Sequence, residues 1–243
     1  MIGIIAAMPE EITQIEANVK LTEKRTIGNR EFHLGTLFGH QVVVALARIG
    51  KVAAASTTTT LINCFNVRAV ILTGVAGGIH PDVKIGDVVI GDSFIQHDMD
   101  ASASGRFSKF EIPLLGVTRI NACENLVKDA ANSAKLMLEK TFPQNKVHIG
   151  LMGAGDQFIA SKEKVKQLRQ EIPDLLCVEM EGAAAAQVCH EYDKPFVSIR
   201  SISDNANDEA GVDFLQFVDE HAAPVSRAVV EALLQHFSDN NTK

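Results

Sequence analysis

Carboxylates recur in this sequence just beyond short apolar runs. Glu10 and Glu11 follow the run 2–7, Glu179 and Glu181 follow 175–178, and Ser203-Asp204 closes 196–202. Open α/β sheets bind ligands beyond the carboxyl ends of their strands, so these are the positions where chemistry is expected. Pro9 at the first position of a helix would put Glu11 near the third, on the turn facing the strand end. In extended geometry Glu179 and Glu181 share a face, and a carboxylate there suits a sugar diol, which offers two hydroxyl donors. Each acid also has a plainer reading. First-turn acids offset a helix dipole, Glu181 can cap the alanine-rich segment after it, and Asp204 can close a turn. Three acidic strand ends together point to a pocket holding several carboxylates.

Glycine clusters supply places where backbone can approach a ligand. Residues 73–78 read T-G-V-A-G-G after an apolar run, and 153–158 begin G-A-G; neither completes the dinucleotide pattern G-x-G-x-x-G. Gly50-Lys51 is followed by Val52 where a P-loop needs Ser or Thr, and Ala45 stands at the first glycine, so a P-loop is rejected too. His97-Asp98-Met99-Asp100 has no second ligand group at a metal-binding spacing, and neither a metal nor a cofactor is expected. Aromatic residues are few, with one Tyr, no Trp and twelve Phe. A flat base would therefore stack on phenylalanine, and Phe158 and Phe214 lie close to the glycine-rich and acidic segments.

These residues must be positioned by an α/β scaffold. Strands are predicted at 2–7, 41–47, 69–72, 87–90, 147–152, 175–178 and 196–202. Helices are predicted at 9–19, 51–65, 122–139, 162–171, 182–192 and 214–237, the last kinked at Pro224. The runs 2–7 and 69–72 are apolar without alternation, as in strands covered on both faces of a largely parallel sheet. Residues 96–119 collect glycine, serine and proline and read as a long surface excursion. No repeat or linker interrupts the 243 residues, so 1–243 is expected to be a single domain.

Composition excludes several classes. Apolar residues make up 46% and charged ones 22%, and 23 basic against 30 acidic side chains leave −7. Disorder, a basic nucleic-acid surface and a polyanionic ligand are poor fits. The apolar start lacks a basic leader and runs into Pro9-Glu10-Glu11, unlike a secretory signal. The uncharged stretch 52–67 is too polar to span a membrane. Cys64, Cys123, Cys177 and Cys189 show no ligand spacing and suit reduced thiols, so a cytoplasmic protein is expected.

Taken together, I-G-I-I-A-A-M-P-E-E (2–11), T-G-V-A-G-G (73–78), G-D-Q-F-I (155–159), V-E-M-E-G-A-A (178–184) and S-I-S-D (201–204) resemble the bacterial 5′-methylthioadenosine/S-adenosylhomocysteine nucleosidases of the purine nucleoside phosphorylase superfamily. The resemblance covers nearly the whole chain. It implies a three-layer α/β/α sandwich around a mixed, partly closed sheet, and a homodimer acting on a small nucleoside. By the same resemblance Glu11 is the base that activates water, Asp204 the acid at purine N7 and Glu181 the holder of the ribose hydroxyls. Met180 would lie under the ribose and Phe158 against the purine, with Ile159 presenting backbone groups to it. Met8, Ile49 and Phe214 would line the pocket, with Val75, Ala76 and Gly77 of the glycine segment. Two departures stand out. Val75 occupies a position where these enzymes often carry serine, which would remove a hydroxyl near the acid. Ala101 and Ser104 replace larger apolar residues in the loop 101–107, which in the family's dimer reaches the neighbour's site.

The residues fit that chemistry independently. Breaking an N-glycosidic bond develops positive charge on C1′ and negative charge on the leaving purine, so carboxylates and a proton donor are needed. The rivals are a purine nucleoside phosphorylase, a futalosine-type hydrolase and a non-catalytic nucleoside-binding protein. A glutamate pair after the first strand would repel phosphate, which favours hydrolysis.

Overall fold

The computed structural model describes residues 1–217 and 223–237. Its elements begin with β1 (Ile2–Ala6), α1 (Pro9–Asn18), β2 (Lys20–Ile27), β3 (Arg30–Leu37), β4 (His40–Leu46) and α2 (Lys51–Phe65). There follow β5 (Ala69–Gly78), β6 (Val88–Gln96), a short 3₁₀ turn at Ser102–Ser104, β7 (Ile120–Asn121), α3 (Glu124–Thr141) and β8 (Val147–Ala154). The chain continues through α4 (Lys162–Glu171), β9 (Leu175–Glu179), α5 (Gly182–Glu191), β10 (Phe196–Asp204), α6 (Ala210–Phe217) and α7 (Ala223–His236).

The sheet is mixed and partly closed. Strand β5 pairs in parallel with β1 over its first half and with β10 along most of its length, while its last two residues pair antiparallel with β9. Since β10 also joins β6, β6 joins β8 and β8 joins β9, these five strands form a closed ring. From β5 the sheet continues outward as β1, β4, β3 and β2. Two apolar layers flank it, one shared with α2 and α5 and the other with α1, α3 and α7. The three-layer α/β arrangement thus agrees with the expectation. Every residue of β1, β5 and β10 is buried, and each fully buried isoleucine or leucine side chain contributes about 1.5–3 kcal/mol.

Several local expectations are corrected. The hairpin β2–β3 is absent from the predicted strands: seven of the eight residues of β2, K-L-T-E-K-R-T-I, are exposed, so it carries no core-facing alternation. Charged side chains are what keep such an edge from pairing with another chain. The strand predicted at 69–72 does not stop before T-G-V-A-G-G but takes it in as the second half of β5, because β10 and β9 pair with it to Gly78. Likewise β6 and β10 run on to Gln96 and Asp204. The helix expected over 214–237 falls on α6 and α7, and the stretch 218–222 between them lies outside the described residues. Pro224 stands second in α7, where a missing N–H costs nothing. No described helix is long and apolar enough to cross a membrane.

Candidate active site

Glu11 is the third residue of α1, and the strand–proline–helix turn aims its side chain back at the end of β1. One carboxylate oxygen, Oε2, accepts from the N–H groups of Ala7 and Met8, both at 2.9 Å, the reach-back of a glutamate at the third helical position. The other, Oε1, accepts the N–H of Val75 at 3.0 Å. This close approach requires Gly74: a Cβ there would stand 2.6 Å from Glu11 Oε1 and collide with the Arg200 guanidinium. Burial pushes the Glu11 carboxyl up, while Arg200 and the three N–H donors pull it down. With one N–H on Oε1, a lone pair remains for a proton from water.

Glu179 and Glu181 do converge, on Arg200. The guanidinium donates through Nη2 to Glu179 Oε2 in a very short contact and to Glu181 Oε2 at 3.2 Å, and through Nη1 to the Val75 carbonyl at 3.4 Å. All three side chains are buried. Removing one partner of such a group leaves an uncompensated charge. Glu181 does not cap α5. That task falls to Glu179, which accepts the N–H groups of Glu181 and Gly182 at 2.8–3.0 Å. The Glu181 carboxylate instead receives the Gly50 N–H at 2.8 Å, leaving an edge for further donors. Burial, opposed by Arg200 and reinforced by Glu179, pushes Glu181 up to about 7.

Asp204 ends β10 and is buried. Its Oδ2 accepts from the Ser203 hydroxyl at 2.8 Å and its Oδ1 from the Ala206 N–H at 2.7 Å. A Cβ on Gly77 would come within 2.9 Å of Oδ1, so the second glycine of T-G-V-A-G-G makes room for the acid. Burial raises the Asp204 pKa against both hydrogen bonds, and Asp213 adds to the rise. Val75 offers no hydroxyl to Asp204, whose one hydroxyl donor among the described residues is Ser203.

Glu11, Glu181 and Asp204 face one cavity enclosing about 480 Å³, its open mouth included, together with Met8, Ile49, Val75, Ala76, Gly77, Phe158, Met180 and Phe214. The exception among the predicted residues is Ile159. It is buried and lines a smaller adjoining hollow with Gly77, Phe158, Met180 and Asp204. Phe158 and Phe214 meet edge to face, ring centres 5.4 Å apart, and Phe158 and Ile49 are about half exposed at the mouth. Loop residues 101–107 do not line this cavity. Among the described residues no three potential ligands gather for a metal; Asp98 is engaged by Lys51 at 2.6 Å.

The sequence reading left Arg200 and Glu179 without roles. The signal was present, since an arginine in the apolar run 196–202 requires a buried acid to balance it. Among the described lining residues, four carboxylates face this single cation, and its Nη groups are taken up by Glu179, Glu181 and a carbonyl.

Comparison with known proteins identifies the family. The model of the phosphorylase superfamily matches residues 1–235. The 5′-methylthioadenosine/S-adenosylhomocysteine nucleosidase of Anoxybacillus flavithermus is 39% identical over 228 residues, covering 94% of this chain and 95% of the relative. The nucleosidase of that name from Neisseria meningitidis, solved with methylthio-immucillin-A, superposes with a TM-score of 0.90 at 35% identity, covering 97% of this chain and 99% of the other. The futalosine hydrolase of Helicobacter pylori shares the fold at a TM-score of 0.87 and 34% identity, covering 97% of each chain. With three carboxylates from separate segments in one cavity and these likenesses along nearly its full length, the chain belongs to the phosphorylase superfamily and, within it, to the 5′-methylthioadenosine/S-adenosylhomocysteine nucleosidases.

Proposed function

We propose that this cavity hydrolyses the N-glycosidic bond of 5′-substituted adenosines, releasing adenine and the 5′-substituted ribose. Glu11 takes a proton from the attacking water as C1′ gains positive charge. Glu181 holds the ribose hydroxyls, and Asp204 gives or shares a proton with purine N7 so that adenine leaves neutral. Electrostatics carries the choice of water over phosphate: four carboxylates against one neutralised guanidinium repel a phosphate dianion at C1′. Adenine release from 5′-methylthioadenosine should therefore proceed at the same rate with and without inorganic phosphate. A strict phosphate requirement would reverse the assignment to phosphorolysis.

The shifted acids fix the pH dependence of kcat/KM, which reports groups in the free enzyme. Protonating Glu181 turns an acceptor for the ribose hydroxyls into a donor, and its pKa lies at about 7. Protonating Glu11 removes the base, and burial raises that pKa too. Activity should fall as pH drops, on a limb centred near 7 instead of near the ordinary glutamate value of ~4.3. A kcat/KM that stays flat between pH 5 and 8 would remove Glu181 from its role.

As in the resemblance, residues 1–243 act as one domain in a cytoplasmic homodimer. The loop 101–107 takes no part in its own cavity and is available to a neighbour's; sedimentation of the pure protein measures the assembly.

A further inference from the structure

Three segments that fail as a P-loop, a metal cluster and a dinucleotide loop meet in one closed circuit beside the cavity. Its members are Lys51 at the start of α2, Asp98 just beyond β6 and Asp156 just beyond β8. The Asp156 carboxylate accepts the Lys51 N–H at 2.8 Å, the Asp98 carboxylate accepts the Asp156 N–H at 3.0 Å, and the Lys51 ammonium donates back to Asp98 at 2.6 Å. Lys51 also donates to Gln96 Oε1 at 3.1 Å, which ties the circuit to β6 itself. Gly50, at the head of α2, has no side chain to cap the helix, so Asp156 supplies the carboxylate that its free N–H groups favour. Gly155 permits this approach, since a Cβ there would stand 2.5 Å from the His97 imidazole. Burial raises the Asp98 carboxyl, but its Lys51 and Asp156 donors outweigh that and hold it below the ordinary range. A lone ion pair near the surface contributes little. One closed through two backbone N–H donors fixes position, because no member moves without breaking a charge-assisted bond.

The circuit joins two walls of the nucleoside cavity. On one wall Gly50 donates its N–H to Glu181 at 2.8 Å and Ile49 lines the mouth. On the other, Phe158 follows Asp156 by two residues. Gly155 donates to the Glu179 carbonyl and Ser161 to that of Ala206, both at 3.1 Å. Between them, among the described residues, only Asp156 hydrogen-bonds to another segment. In the proposed pose the first wall holds the ribose through Glu181 and the second faces the purine through Phe158. We infer that Lys51, Asp98 and Asp156 set the separation of the ribose and purine half-sites and so act as positioning residues for cleavage, although none of the three lines the cavity. This rests on the nucleosidase reading of the cavity. A ligand spanning two half-sites engages both only when their spacing matches its own, and a misplacement of about 1 Å can cost ~10²-fold in rate.

The test sets the intact nucleoside against its two halves. For the wild-type enzyme, Asp156→Ala, Asp156→Asn and Lys51→Met, kcat/KM is measured with 5′-methylthioadenosine, and adenine and 5-methylthioribose are each titrated alone by calorimetry. Asp156→Ala and Lys51→Met should each lower kcat/KM by roughly 10- to 100-fold, while the dissociation constants of the two halves stay within about twofold of wild type. Asp156→Asn keeps an acceptor for the Lys51 N–H and should recover part of the rate. Lys51→Met leaves every backbone donor in place and carries the test should Asp156→Ala not fold. Halves weakened as much as the nucleoside would reveal a prop for the fold alone. That result, unchanged kcat/KM in both disruptive variants, or Asp156→Asn no faster than Asp156→Ala would overturn the inference, while wild-type adenine release upholds the nucleosidase reading. No adenine from the wild-type enzyme would overturn both.

Discussion

Replacing Glu11 with glutamine should lower kcat by about 10²- to 10⁴-fold, the usual contribution of a positioned general base, equivalent to roughly 3–5 kcal/mol of barrier. The substitution keeps the shape and removes the proton acceptor. It also disturbs a saturated site. Glu11 accepts the N–H of Val75 on one oxygen and those of Ala7 and Met8 on the other, so a glutamine amide must turn its own NH₂ toward at least one donor. An unmatched buried donor costs about 1–3 kcal/mol, partly offset because a buried negative charge disappears. Thermal unfolding should therefore show a small loss of Tm alongside the large loss of turnover. Nucleoside binding, followed by calorimetry with 5′-methylthioadenosine, should persist. Turnover within tenfold of wild type would show that another group activates the water. Turnover and binding lost together would mean that Glu11 supports the fold of the cavity more than the chemistry.

Asp204→Asn should be nearly as severe, again about 10²- to 10⁴-fold in kcat, for a different physical reason. Asparagine can still accept the Ala206 N–H on its carbonyl oxygen, while its NH₂, in the place of Oδ2, donates to the Ser203 hydroxyl oxygen or to N7, but it has no proton to transfer. The departing base must then leave as an anion. Adenosine analogues whose purine is more electron-poor should consequently recover rate in the Asp204→Asn enzyme relative to wild type. A loss of equal size for every leaving group would place Asp204 in binding alone. The hydrogen bond from Ser203 at 2.8 Å favours the ionised acid, so Ser203→Ala is expected to act in the opposite sense on the Asp204 pKa and raise it further.

Much of this arrangement is local and was legible in the letters. Pro9 starts a helix two residues after an apolar strand, so Glu11 must return to the strand end; the spacing of one turn dictates it. The acids at 181 and 204 follow apolar runs that read as buried strands, whereas the room that Gly74 and Gly77 leave for Arg200, Glu11 and Asp204 came only with the tertiary structure. What periodicity could not show is where pairing continues. T-G-V-A-G-G has the composition of a loop, and β2 has that of a solvated turn; both are strands because neighbouring strands supply their hydrogen bonds.

Sequence by itself thus marked candidate acids and set each at or just beyond the end of a strand, because helix starts and strand ends are set by residues a few places apart. Tertiary structure alone decided their company and their charge. Glu11 meets Val75 across 64 positions, Glu181 meets Gly50 across 131, and Arg200 meets Val75 across 125. The protonation of Glu11 and Glu181 follows from burial and from that distant guanidinium, that of Asp204 from burial first, and burial depends on the whole chain's packing, to which no local pattern of residues gives access.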